Sequence, residues 1–215
     1  MLMRQLCQPL WICFWLMFLP LIAQAQNCNS AIDQSSPTAN FFFITDGSAT
    51  DKSTGLTWSR CVMGQRWDGK TCGRLKQVAT FRSWKKAIKD AEKEVLAGYD
   101  DWRLPTLEEL RTIVEYRCED PAINSTVFPN AFPGPHWTRD SYVSSTNYAW
   151  RIDFKDGSEN ADLKLVTSYV GRLVRGNMIV KKVKQEFKAE PLDEMDSDAL
   201  RLQRSKLLEL GKDGI

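Results

Sequence analysis

Ala97-Gly98-Tyr99-Asp100-Asp101-Trp102-Arg103-Leu104-Pro105-Thr106-Leu107-Glu108-Glu109-Leu110 is the stretch on which the reading of this 215-residue chain turns. Pro105 excludes Leu104 from the helical region, because its ring collides with the preceding residue's backbone. A helix therefore starts directly after it. Thr106-Leu107-Glu108-Glu109 has the spacing of a capping box, in which the threonine oxygen accepts from the third amide and the glutamate bonds back to the cap. Leu107, Leu110, Ile113 and Val114 then form a buried stripe, and the helix is expected to end near Arg117. Upstream, Trp84, Ala87, Ile88, Ala91 and Val95 recur at helical spacing, with Lys85, Lys86, Lys89, Asp90, Glu92 and Lys93 opposite. This predicts a first helix over 83–97, with Ser83 as its N-cap and Gly98 as its stop. Trp102 lies between the two helices and is expected to anchor the core there. Arg103 is expected to tie loop carbonyls or carboxylates together.

Strand signals surround this pair. Phe41-Phe42-Phe43-Ile44 reads as a buried strand closed by the turn residues Thr45-Asp46-Gly47-Ser48, and Gly55 to Trp58 reads as its neighbour. Beyond Cys118, Pro121, Pro129, Pro133, Gly134 and Pro135 predict a long loop region. Order returns at Tyr148-Ala149-Trp150-Arg151-Ile152-Asp153-Phe154, which alternates at strand period before the Asp156-Gly157 turn. Tyr169 to Gly176 reads as a last strand that Met178-Ile179-Val180 extends. Residues 181–215 change to dense mixed charge, with Leu200, Leu207, Leu208 and Leu210 able to line one side of a short helix; a solvated tail is expected.

The N-terminus has a basic residue, Arg4, an apolar run from Leu10 to Ile22 and then Ala23-Gln24-Ala25. That order predicts a signal peptide over 1–25, too short in its apolar part for a membrane span, and a mature chain from Gln26 with no transmembrane anchor. The expected location is secreted, periplasmic or at the cell surface. In an oxidising compartment the cysteines left after processing, Cys28, Cys61, Cys72 and Cys118, are read as disulfides, for which three pairings exist. Cys61 and Cys72 flank a compact segment in which Gly64 and Asp68-Gly69 let the chain double back, so Cys61–Cys72 is expected, leaving Cys28–Cys118 to tie the N-terminal segment to the second helix. Without a Cys-x-x-Cys pair and with His136 as the single histidine, no metal site is expected. Lys+Arg 29 against Asp+Glu 27 leaves a net charge of +2, which argues against a dedicated nucleic-acid binder.

Taken in order, Asp51-Lys52-Ser53-Thr54-Gly55-Leu56-Thr57-Trp58, Gly64-Gln65-Arg66-Trp67-Asp68-Gly69, Gly98-Tyr99-Asp100-Asp101-Trp102-Arg103-Leu104-Pro105, Pro121-Ala122-Ile123-Asn124, Phe128-Pro129-Asn130 and Arg172-Leu173-Val174-Arg175-Gly176 carry a resemblance. The region from about Thr50 to Gly176 resembles the bacterial domain family once called DUF1566 and now named after the C-terminal domain of the collagen-like adhesin Lcl. The resemblance implies an α+β, C-type-lectin-like fold: two helices flanking small antiparallel sheets, a long loop region carrying recognition, and disulfide bracing. The domain would occupy 26–180. One departure stands out, since Pro135-His136-Trp137-Thr138-Arg139 replaces an aromatic followed by Trp-Ser-Ser.

Such folds include sugar binders, protein binders, structural parts and an oxidase of sulfatases, so fold alone does not set the activity. The residues favour a non-catalytic, adhesin-like binding module for glycans, with sulfated or anionic ones in view. Trp137 and Tyr142 offer aromatic faces, while Arg139, Arg151, Lys164 and Arg172 offer cations for anionic groups. An envelope protein as partner is the alternative, and oligomeric display is compatible with either. An oxidase-type enzyme is the remaining class; it would need free cysteines, and His136 is read as a surface loop residue. No cofactor is expected. Calcium would have to use Asp153, Asp156, Glu159 and Asp162, whose spacing fits no dedicated loop.

Overall fold

The computed structural model describes residues 26–43, 45–73 and 81–179. The expected signal peptide, Ile44, Val180 and the charged tail lie outside them. The elements in chain order are β1 (Asn27–Cys28), a 3-10 turn (Thr38–Asn40), β2 (Phe41–Phe43), β3 (Ser48–Asp51), β4 (Thr57–Val62), α1 (Trp84–Ala91), α2 (Leu107–Arg111), β5 (Cys118–Glu119), β6 (Pro135–Ser141), β7 (Tyr148–Asp153), β8 (Ser158–Leu163) and β9 (Arg172–Arg175). They build three antiparallel sheets, β1-β5, β2-β3-β4-β9 and β6-β7-β8. Sheets dominate over helices. Among the described residues no helix is long and apolar enough to cross a membrane.

The capping box forms as read. Thr106 Oγ1 accepts from the Glu109 amide at 3.1 Å, and the Thr106 amide donates to Glu109 Oε2 at 2.8 Å. Arg103 fulfils its expected role more fully than the sequence suggested: it donates twice to Glu109, at 2.7 Å each, and once to the Gly176 carbonyl at 2.8 Å. Its backbone pairs with Val174 of β9 in both directions. On the other side, the Arg139 amide donates to the Pro105 carbonyl at 2.7 Å and Asp140 accepts from the Leu107 amide at 2.6 Å. The run thus joins the four-stranded sheet to the three-stranded one. Burial alone would raise the Glu109 carboxyl, but Arg103 and Thr106 outweigh it and hold the group below the usual carboxylate range.

Both helices are shorter than their apolar patterns. α1 stops at Ala91, and Val95, expected on its buried side, is 68% exposed. The chain there is already turning toward Ala97 and Gly98, which both take positive φ. α2 stops at Arg111 because the Thr112 hydroxyl and amide both return to the Glu109 carbonyl, and the β-branched run Thr112-Ile113-Val114 gains little from helix. Ile113 and Val114 are still buried, through a tight turn rather than a helical face.

Two apolar clusters fill the interior. The first gathers Leu107 and Leu110 of α2 with Trp58, Ile113, Phe128, Ile152 and Phe154. The second gathers Ala87 and Ala91 of α1 with Trp102, Trp137, Ala149 and Leu173. Trp102 is 2% exposed and belongs to the second, so it anchors α1 and does not bridge the helices as expected; its Nε1 donates to the Leu96 carbonyl at 3.1 Å. Both expected disulfides are present, Cys61–Cys72 within the β4 hairpin region and Cys28–Cys118 joining β1 to β5. The second therefore reaches the strand after α2, not the helix itself.

The proline-rich stretch is not all loop. Pro135 opens β6, a position where its missing amide costs no ladder bond. His136, expected at the surface, is wholly buried: Nδ1 donates to the Gly134 carbonyl at 2.7 Å, and the ring meets Phe154 edge-on at 4.6 Å. Burial, and then the charge of Arg172, push this imidazole down to about 3. The unfolded chain binds a proton near pH 6.5 that the folded chain refuses, so stability is complete above that pH and declines as pH falls from about 6.5 toward 3. The unfolding free energy from urea titrations should therefore drop on acidification, by up to about 1.4 kcal/mol per pH unit from this group alone, and His136→Phe should flatten that limb. At neutral pH, Thr106→Ala should cost about 1 kcal/mol, the worth of a helix cap. Glu109→Ala should cost more, about 3 kcal/mol, since it also strands the Arg103 guanidinium.

Candidate ligand cleft on the three-stranded sheet

Trp137 and Arg172, read from sequence as ligand contacts, are inside the protein. Trp137 in β6 is fully buried, packed against Tyr169 at 4.7 Å, with Nε1 donating to the Arg82 carbonyl at 2.9 Å. No face is left for a ligand. Arg172 in β9 is 1% exposed and donates to the Ser59 and Arg60 carbonyls at 3.0 and 2.8 Å, while its guanidinium lies over Phe128. The cause is the irregular register of β4 against β9 between Trp58 and Val62, which turns these carbonyls away from the ladder. Arg172 fills the gap, at a desolvation cost that pushes it down to about 9.

Two further cations are committed locally. Arg151 in β7 donates to Asp162 at 2.6 Å, lies 3.4 Å from Asp153 and faces the Tyr169 ring. Lys164 is 8% exposed; its ammonium donates to Ser141 Oγ and the Thr146 carbonyl at 2.7 Å each and sits 4.1 Å from the centre of the Trp84 ring. Burial lowers its pKa. It acts as a latch on the β6–β7 connection. Arg139 is exposed, outside the cleft described next.

Tyr142 alone among the six lies in a surface recess. On β7, Tyr148 and Trp150 point to the same side as Ile152, by strand alternation. Ile152 is buried under α2, Trp150 is half-buried at the margin of the first cluster, and Tyr148 lies farther out. Tyr142 meets Trp150 edge-on at 5.1 Å. With Ser145, Glu159, Asn160 and Ala161 these residues line an open cleft of about 380 Å³. Trp150 is therefore half core and half cleft wall. Directly across from it in β8 stands Ala161, so that strand places only a methyl group opposite the indole. Glu159, opposite Ile152, is held by Arg111 of α2 through two bonds of 2.5 Å. Such a recess can stack a flat ring face and direct hydroxyl and amide groups at its edge.

The sequence reading missed β8 entirely, because Ser158-Glu159-Asn160-Ala161-Asp162-Leu163 is polar and lacks β-branched residues. The only sequence signal was the Asp156-Gly157 turn, which requires a returning strand after β7. The four carboxylates weighed for calcium each have another partner: Asp153 and Asp162 face Arg151, Glu159 faces Arg111, and Asp156 caps the turn by accepting from the Ser158 amide. Among the described residues no group of three or more His, Cys, Asp or Glu side chains gathers in metal-binding fashion. A smaller polar recess of about 130 Å³ lies beside Cys28–Cys118, lined by Glu115, Arg117 and Asn124.

Fold and cleft together define a sheet-dominated, disulfide-braced α+β domain with an aromatic recess on its three-stranded sheet. The chain belongs to the Lcl C-terminal domain family, whose match covers residues 47–175. That span runs from the turn before β3 to the last residue of β9, so β1 and β2 lie upstream of the matched part. No curated protein matches the chain.

These placements separate by mutation. Trp137→Ala should cost about 3–5 kcal/mol by leaving a large cavity, whereas Arg139→Ala should stay within about 0.5 kcal/mol as an exposed change. Chemical denaturation of the two variants measures the difference.

Proposed function

We propose that the protein is an exported, non-catalytic binding module, C-type-lectin-like in fold, that holds a saccharide in the Tyr142–Tyr148–Trp150 cleft. The observation that carries this reading is the open aromatic wall. Three aromatic side chains line the recess, only the Ala161 methyl stands opposite Trp150 in β8, and Ser145, Asn160 and the Arg111-paired Glu159 complete the lining. Aromatic floors with a few directed polar groups are how proteins hold small polar ligands. Two disulfides support an oxidising compartment, secreted, periplasmic or at the cell surface, and the leader-like sequence of residues 1–25 supports export. Both cysteine pairs being oxidised, and the single histidine being buried with Nδ1 donating to a carbonyl, support a binder over an oxidase or a histidine-dependent hydrolase. No cofactor is part of the proposal.

A surface protein as ligand is the second reading. It is favoured by Val143, Leu165 and Val166, which are 94%, 80% and 75% exposed on connections adjoining the same sheet. A glycan array probed with the processed protein, with and without chelator, tests the first reading, and capture from an envelope fraction tests the second. Saccharide retention that survives chelation and weakens at least about tenfold in Tyr142→Ala is expected. Retention of no saccharide, together with capture of one envelope protein, would replace the first reading by the second. Thiol titration without reductant should find no free cysteine among Cys28, Cys61, Cys72 and Cys118.

A further inference from the structure

The chemistry lining the cleft narrows the ligand, and this step rests on the saccharide reading above. We infer that the cleft takes an uncharged pyranose, laid on the Trp150 indole through the gap that Ala161 leaves, and that sulfated or acidic sugars are not its ligands.

Three observations carry this. Trp150 and Ala161 are directly opposed in the β7–β8 register, and their neighbours on the same side are the larger pairs Tyr148–Leu163 and Ile152–Glu159. A side chain longer than a methyl at position 161 would lie against the indole, since opposed residues hold their Cβ atoms about 4.5–5.5 Å apart. The small residue therefore leaves only a methyl group opposite the indole on the β8 side, between two larger pairs.

The second observation is the polar fringe. Ser145, Tyr142 and Tyr148 bring hydroxyls, and Asn160 lines the rim while its side-chain carbonyl accepts from the Ala161 amide at 2.8 Å. All are neutral groups suited to sugar hydroxyls.

The third is charge. Glu159 is the one ionisable side chain other than the tyrosines in the lining, and Arg111 balances it through both carboxylate oxygens. Of the cations that a sulfate or uronate would need, Arg151 is committed to Asp162 and Asp153, Lys164 to Ser141 and Thr146, and Arg172 to two carbonyls in the interior, while the exposed Arg139 lies outside the lining. An anion entering this cleft would lose water, meet the Glu159 carboxylate and gain no free cation, an uncompensated desolvation.

The test uses the full processed chain, titrated by tryptophan fluorescence with neutral hexose and N-acetylhexosamine oligosaccharides and with heparin, at low and high salt. Ala161→Phe fills the gap with a residue that strands tolerate well. Lys85→Glu/Lys89→Glu inverts the exposed basic side of α1 and leaves the cleft alone. Near-ultraviolet circular dichroism and the urea midpoint confirm that each variant is folded. The expected result is saccharide binding that is indifferent to salt, weakened at least about tenfold by Ala161→Phe and unchanged by the lysine variant. Heparin binding that is lost in high salt and abolished by Ala161→Phe would overturn the uncharged class while leaving the cleft as the saccharide site. Saccharide binding of either kind that Ala161→Phe leaves intact, or no binding to any of these probes, would overturn the cleft reading itself.

Discussion

The bidentate pair between Arg103 and Glu109 is the constraint on which the rest of the domain hangs. Glu109 is nearly buried and would be costly there alone, yet it accepts from Arg103 and from the Thr106 amide at once. The same arginine reaches the Gly176 carbonyl, and its backbone pairs with β9. Because Pro105 then receives the Arg139 amide and Asp140 caps α2, bonds from one short run reach both larger sheets.

Cations are used inside this domain in a way that composition does not announce. Arg172 repairs a break in the β4–β9 ladder, Lys164 ties the β6–β7 connection, and Arg60 lies between Phe43 and Trp67 while donating to the Val127 carbonyl. Each satisfies backbone carbonyls that a strand or helix would otherwise have paired. A small, loop-rich domain has many such carbonyls, and long basic side chains are the groups able to reach them. The consequence for recognition is a cleft left nearly neutral, with aromatic area as its main resource.

How much was legible varied with how local the physics was. The capping box, the Pro105 break and the partnership of Arg103 were readable because they are decided within a few residues. The disulfide pairing was readable because Cys61 and Cys72 flank a segment that folds back on itself. Helix lengths were overread: the stripe past Arg111 and Ala91 is apolar, but a tight turn buries Ile113 and Val114 as well as a helix would. β6 was hidden by its prolines and β8 by its polarity, and with β8 unseen the cleft could not be seen either. Trp137 and Trp150 show the difficulty most plainly. Both are tryptophans in strands of one sheet, yet one is sealed against Tyr169 and the other, half-buried, lines the cleft opposite an alanine.

The sequence by itself determined the family, the helix starts, the cysteine pairing and the aromatic stock of the domain, since each rests on covalent geometry or on neighbours close in the chain. Only the tertiary structure decided which aromatics and which cations face outward. Exposure belongs to the assembly of three sheets, and it turns on pairs such as Trp150 with Ala161 or Arg172 with the Ser59 and Arg60 carbonyls, partners 11 and more than 100 residues apart that no local pattern brings together.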